Sequence, residues 1–102
     1  MNPLLARQVI HGVNTTIARL EITKGAIVPL HQHVNEQMSV MLTGSLRFVI
    51  DGVESIVNAG EVMVIPPNAP HMVEALEDST VFDVFSPIRA DWLTGDDAYL
   101  RK

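Results

Sequence analysis

The chain contains no cysteine, which excludes disulfides, thiolate metal sites and a cysteine nucleophile. It is also short of positive charge: seven Lys and Arg stand against twelve Asp and Glu, for a formal net charge of -5. With the acidic residues scattered, this balance leaves no footprint for a phosphate backbone, so no nucleic-acid partner is expected. No apolar run approaches the ~20 residues needed to cross a bilayer, and "MNPLLARQV" lacks the basic-then-apolar pattern of a leader segment. The expectation is a cytoplasmic chain with no membrane contact.

What is present is apolar and β-branched. Hydrophobic residues make up 47% of the 102 residues, with many Val and Ile, enough for one domain spanning 1–102 with a bias toward sheet. Segments of four to eight residues alternate or run apolar between turn signals, as strands do. In "SLRFVIDG", Leu46, Phe48 and Ile50 point one way and Arg47, Val49 and Asp51 the other. Asp51-Gly52 then fits a tight hairpin turn. "VESIVNAG", "EVMVIPP", "HMVEAL" and "TVFDVFS" follow, with "TTIARLEI" and "AIVPLH" upstream. Eight to ten short strands are expected, which implies an all-β antiparallel sandwich or barrel. Only two places invite a turn of helix: residues 2–8 after Pro3, and "PIRADWL" with Pro87 at its start. The polar end "TGDDAYLRK" reads as a terminal tail.

Chemistry concentrates in "HQHVNEQ", residues 31–37. His31 and His33 are two apart, so on a strand both imidazoles leave from one face, a natural start for a divalent transition-metal site. Either Glu36 or Gln37 could add a third ligand. Gln37 would lie ~13 Å from His33 on an extended chain, so residues 34–36 must turn back. His71 follows in "PPNAPHMV", where Pro and Asn68 suggest a rigid turn that delivers the histidine to the next strand. His11, beside Gly12, reads as a structural histidine.

The stretch "GAIVPLHQHVNEQMSVMLTG", Gly25 to Gly44, resembles the first motif of the cupin superfamily: glycine, five residues, H-x-H, a third ligand, then six residues and glycine. "GEVMVIPPNAPH", Gly60 to His71, resembles the second, with Asn68 where that motif usually has glycine and Ala75 where it usually has asparagine. The resemblance implies a cupin double-stranded β-helix, a jelly-roll barrel with core near residues 17–86 and short N- and C-terminal extensions, usually as a homodimer. Counting back six residues from Gly44 reaches Gln37, so the implied ligands are His31, His33, Gln37 and His71, with Glu36 facing away. The superfamily's familiar glutamate is replaced. One divalent transition-metal ion (Ni, Zn, Mn, Fe or Co) held by four neutral ligands keeps its full formal charge, which favours an anionic substrate and stabilises a developing enolate.

A second polar set lies in "VFDVFSPIRADWL". Asp83 and Phe85 share one strand face and Phe82 and Val84 the other; a carboxylate in so apolar a strand is costly without a partner. From the residues alone, Asp83 is equally a structural carboxylate, and Arg89 a surface residue. Together, "DVFSPIRADWL", "PLHQHVNEQ" and "VIPPNAPH" are similar to the small pectin-degradation cupins of the KdgF kind, which act on unsaturated uronates from pectin or alginate. That resemblance implies Asp83 and Arg89 as catalytic residues, Arg89 and Phe85 as substrate-binding residues, and an anionic small-molecule substrate, a uronate. The implied reaction converts a 4,5-unsaturated monouronate to its linear 4-deoxy-5-keto form. A non-catalytic anionic-sugar-binding cupin and a metal-dependent cupin oxygenase remain the alternatives.

Overall fold

The alternating segments fold as antiparallel strands that place their apolar side chains between two sheets. The computed structural model describes residues 5–93, and among these there are nine strands: β1 (Leu5–His11), β2 (Thr16–Ile22), β3 (Ile27–His31), β4 (Glu36–Thr43), β5 (Ser45–Ile50), β6 (Val53–Asn58), β7 (Val62–Ile65), β8 (His71–Ala75) and β9 (Ser79–Ser86). One helical turn follows, α1 (Ala90–Leu93). A five-stranded sheet has the order β1-β2-β9-β4-β7, and a four-stranded sheet the order β3-β8-β5-β6.

This architecture corrects the expected closed barrel. Each sheet is open, with β1 and β7 at the edges of the first and β3 and β6 at the edges of the second. No ladder among the described strands joins one sheet to the other. The sheets are held face to face by side chains, as in a sandwich. Two smaller expectations also change. From Leu5 onward the N-terminal stretch is a strand rather than a helical turn, paired with β2 from Leu5↔Ile22 to His11↔Thr16. The helix expected across 87–93 is confined to four residues. The tail at 94–102 and the segment 1–4 lie outside the described residues.

The core forms where inward positions of both sheets meet: Leu20, Ile22, Met41 and Val81 from the first, Leu46, Phe48 and Val73 from the second. Strand β9 shows the two-residue period most plainly, with Val81, Asp83 and Phe85 buried and Thr80, Phe82 and Val84 less so. Between β5 and β6, Asp51 (φ 50°) and Gly52 (φ 79°) make the expected tight turn, both in the left-handed region that such hairpins require.

Gly44 has a different task. It stands between β4 in one sheet and β5 in the other, with φ 86°. A Cβ there would lie 2.5 Å from the Asp78 carbonyl oxygen and 2.7 Å from Ser79 Cα, and would collide with the Ser79 hydroxyl. That hydroxyl accepts the Ser45 N–H (3.1 Å). The chain therefore changes sheets through a point with no room for a side chain.

Candidate functional site

Both sheets deliver polar residues to one end of the space between them. On the four-stranded sheet, His31 of β3 is opposite His71 of β8. The register slips between Val28 and His31, so β3 carries one extra residue there, as in a β-bulge. Pro29 sits in the bulge, where a missing N–H costs no ladder bond, and its carbonyl meets His31 Nδ1 at 2.7 Å. On the five-stranded sheet, Ser39 is opposite Asp83 and Gln37 is opposite Phe85. Residues 34–36 turn back as the spacing required, so that Gln37 Oε1 lies 3.1 Å from His33 Nε2. Glu36, at the start of β4, is exposed and Gln37 is buried, as alternation along a strand demands.

The three histidines form a tight cluster. Ring centroids are 4.2 Å apart for His31 and His71, 4.9 Å for His33 and His71, and 5.7 Å for His31 and His33. One ligand nitrogen from each falls within 4.8 Å of the others. Burial holds His31 down to about 4, although its bond to the Pro29 carbonyl opposes this and the neighbouring imidazoles add to it. Burial, then the charge of Arg89, likewise lowers His33 to about 4, and burial lowers His71. At neutral pH all three are uncharged, the state in which imidazole binds metal.

Hydrogen bonding shows that this set fits a cation. Each Nδ1 faces a backbone carbonyl: Pro29 for His31, Asn35 for His33 (3.0 Å) and Ala69 for His71 (2.8 Å). Such carbonyls fix the tautomer that directs Nε2 at a metal. His71 Nε2 is buried without a hydrogen-bond partner, an arrangement that costs about 1–3 kcal/mol unless something occupies its lone pair. His33 faces acceptors at both nitrogens, the Asn35 carbonyl and Gln37 Oε1. A neutral ring donates to only one of them, so in either tautomer one contact sets lone pair against lone pair, which a cation between them relieves. The buried histidine cluster is thus suited to a single divalent metal ion, with nothing in the donor set that selects which one.

The supporting turn explains one departure from the expected motif. Asn68 has φ 63°, and asparagine is among the few residues with a side chain that adopt this region readily. It stands where glycine was expected and takes the conformation glycine would supply. Its N–H donates to the His33 carbonyl (2.7 Å), which ties the second motif to the first.

Asp83 is buried and accepts a 2.6 Å hydrogen bond from the Ser39 hydroxyl. Burial raises it from 3.8 to about 6, with Ser39, Gln37 and Arg89 pulling the other way. Phe85 is edge-on to His33, with centroids 5.6 Å apart. Arg89, far from being a surface residue, is 1% exposed. Its guanidinium carbon lies 4.8 Å from the Phe85 ring centre and 4.1 Å from that of Trp92, within cation–π range. Asp91 takes one edge of the guanidinium, from Nε at 2.9 Å and Nη2 at 2.6 Å. Arg89 therefore offers an oriented positive charge rather than an unengaged fork. A cleft of about 500 Å³, its open mouth included, has His31, Gln37, His71, Asp83, Phe85 and Arg89 in its wall.

Sequence reasoning did not single out four residues that build this site. Ser39 was accessible to it, because it lies two residues from Gln37 on the same strand face. Asn35, Thr16 and Trp92 carry no such signal. Asn35 donates to the carbonyls of Pro87 and Ile88 (2.5 and 3.0 Å). Thr16 Oγ1 accepts the Arg89 N–H at 2.8 Å and meets His11 Nδ1 at 2.8 Å, which accounts for His11 as a structural residue.

The depressed imidazoles set the acid stability of the metal-free protein. Between pH 4 and 6.5 the unfolded chain binds protons at His31 and His33 that the folded chain does not, so their contribution is lost as pH falls through that window. His71 acts in the same direction. Asp83 opposes them, since the folded state holds its proton between 3.8 and about 6. Three histidines outweigh one carboxyl. Thermal melts of chelator-treated protein are expected to fall from pH 6.5 toward 4, and a flat or rising midpoint would contradict the assignment.

Comparison with known proteins places the chain. Residues 18–85 match the family model described as the cupin domain. The pectin degradation protein KdgF of Dickeya dadantii (strain 3937) is 37% identical over 76 residues, covering 72% of this chain and 69% of that protein. Among solved structures, KdgF from Halomonas sp. has a TM-score of 0.84 at 29% identity, covering 89% of this chain and 86% of that one. An RmlC-like cupin from Shewanella frigidimarina NCIMB 400 also has a TM-score of 0.84, at 27% identity, covering 90% and 84%. With the histidine cluster, this kinship supports a metal-dependent catalytic role. The chain belongs to the cupin superfamily and, within it, is related to the KdgF-type pectin degradation proteins.

Proposed function

We propose that the protein converts a 4,5-unsaturated uronate monosaccharide, of the kind released from pectin or alginate, to the linear 4-deoxy-5-keto-uronate. The observation that carries this reading is the placement of a buried carboxyl, Asp83, in the same cleft wall as the neutral histidine cluster and Arg89. Kinship with pectin degradation proteins supplies the substrate class.

The chemistry is an isomerisation. The proton of the C1 hydroxyl leaves, the bond between C1 and the ring oxygen breaks, C1 becomes an aldehyde, and the released enolate takes a proton at C4 to become the C5 ketone. No oxidant or second reactant is required. Asp83, raised to about 6 by burial, is matched to accept the first proton and return it at carbon near neutral pH. Its tie to Ser39 holds the carboxyl in the cleft through both transfers. Arg89 draws the substrate carboxylate by charge, its orientation fixed by Asp91 and by the flanking rings of Phe85 and Trp92. Phe85 walls the sugar. His31, His33, Gln37 and His71 would hold the divalent ion, which supplies positive charge against the oxygen that becomes enolate-like.

The direct test is incubation of metal-loaded protein with an unsaturated monouronate. Loss of the conjugated ultraviolet absorbance should far exceed the spontaneous rate, and the product should show a C4 methylene by NMR. A protein that binds the sugar without turnover would favour the binding reading, and oxygen uptake would favour an oxygenase. Ligand assignment has its own check. Gln37→Ala is expected to lower metal affinity by at least tenfold, and Glu36→Ala, altering an exposed side chain, to leave it unchanged. Equal losses would reject Gln37.

A further inference from the structure

Three side chains form a directed line from the histidine cluster to the buried carboxyl. Gln37 Oε1 lies 3.1 Å from His33 Nε2, Gln37 Nε2 donates to Ser39 Oγ at 3.0 Å, and Ser39 Oγ donates to Asp83 Oδ1 at 2.6 Å. The middle member, Ser39, is 1% exposed. Its chemistry has a fixed sense. A serine hydroxyl has one hydrogen and two lone pairs. With the hydrogen given to Asp83, only lone pairs are left for Gln37, and these accept from an N–H and repel an oxygen.

A glutamine amide needs such direction. Its two ends have almost the same shape, yet only the oxygen binds a cation, and an amide turned over would present N–H₂ to the ion. Geometry on the histidine side does not favour the oxygen by itself: with Nδ1–H given to the Asn35 carbonyl, His33 Nε2 presents a lone pair, which would sooner meet the amide N–H₂. The choice is made on the other side, where Ser39 accepts. Asp83 lies close enough to the amide to favour the same polarity.

We infer that Ser39 is a positioning residue: it fixes the polarity of the Gln37 amide so that Oε1 faces the metal site, and it couples that ligand to the orientation of Asp83. This rests on Gln37 being a ligand, as proposed above. A glutamate at position 37 would need no such help, since both its carboxylate ends are oxygens. The amide therefore carries a structural requirement that a carboxylate ligand would not.

That difference supplies the test. Chelator-treated parent protein, Ser39→Ala, Gln37→Glu and the double variant Gln37→Glu/Ser39→Ala are titrated with Co²⁺ by calorimetry, and the visible spectrum of each loaded protein is recorded. Removing a partner that orients a metal ligand weakens affinity by about 10–100-fold. Ser39→Ala is expected to weaken Co²⁺ binding at least tenfold and to shift the cobalt spectrum, whereas in the Gln37→Glu background the same change should cost less than about twofold. Equal losses in both backgrounds would mean general damage to the site and overturn the proposal, as would no loss in the parent background. Ser39→Cys keeps a side chain in the space but bonds weakly. It should follow Ser39→Ala, and parent-level affinity would show that volume alone matters, which also overturns it. None of these measurements uses a uronate, so failure of the proposed reaction leaves them readable. An unchanged Co²⁺ affinity in Gln37→Ala would remove the ligand and this proposal together.

Discussion

Asp83→Asn is expected to lower turnover of the unsaturated uronate by about 10²–10⁴-fold, the range for loss of a positioned general acid–base group, with bound metal at the parent level. Asparagine has the size of aspartate and keeps a carbonyl oxygen for the Ser39 hydroxyl, so the bond at 2.6 Å survives in form. It has no group able to take a proton from a sugar hydroxyl and return it to carbon. The site is also one in which a substituted polar group stays dry, because Asp83 is 7% exposed. Paired measurements of metal content and initial rate make the check, and a variant with full metal and full rate would sink the assignment. The parent enzyme adds a second signature. In the proposed reaction Asp83 must be ionised to take the proton, so the rate should fall as pH drops through the carboxyl's value. That limb lies at or below about 6, since a cation nearby favours the ionised form.

The largest effect on stability is expected at a residue with no part in chemistry. Gly44→Ala puts a methyl group 2.5 Å from the Asp78 carbonyl oxygen and against the Ser79 hydroxyl that holds Ser45. It also asks alanine to adopt φ 86°. Left-handed strain costs about 1–3 kcal/mol and overpacking typically another 1–3 kcal/mol, so a loss of roughly 2–6 kcal/mol is expected, about 4 kcal/mol at the centre of that range. For a domain of this size the central value corresponds to a fall of roughly 15–30 °C in Tm. Gly52→Ala and Gly60→Ala separate the two causes. Both positions have positive φ, 79° and 87°, with nothing within 4 Å of a new Cβ. They should lose only the conformational part, about 1–3 kcal/mol. If Gly44→Ala melts with these controls, the crowding at the sheet change is not what matters there.

Much of this structure was legible because strand parity is a strict rule. Alternation sorted Asp83 and Phe85 from Phe82 and Val84, and the structure places them on those faces; Glu36 and Gln37 were separated by the motif count back from Gly44, and the structure exposes the first and buries the second. Asp51-Gly52 announced its turn by composition. Closure of the sheets was not legible. Parity says which side chains face inward, but whether edge strands meet depends on backbone hydrogen bonds between segments far apart in sequence, and here β1, β7, β3 and β6 stay as edges. The surroundings of Arg89 were hidden for a similar reason. Thr16 bonds its backbone from 73 residues away and Asp91 its guanidinium from two, and no local period marks Trp92 as the ring above that guanidinium.

Asn35 bears on how the site is held together. Both hydrogen bonds of its amide nitrogen run to the segment before Arg89, while its backbone carbonyl holds the ring of His33. The loop that bears His33 and the stretch that bears the buried Arg89 are thereby braced by one side chain. Stretches of chain 52 and 53 residues apart are thus pinned to each other by a single amide, so the gauge between imidazole and guanidinium hangs on one residue.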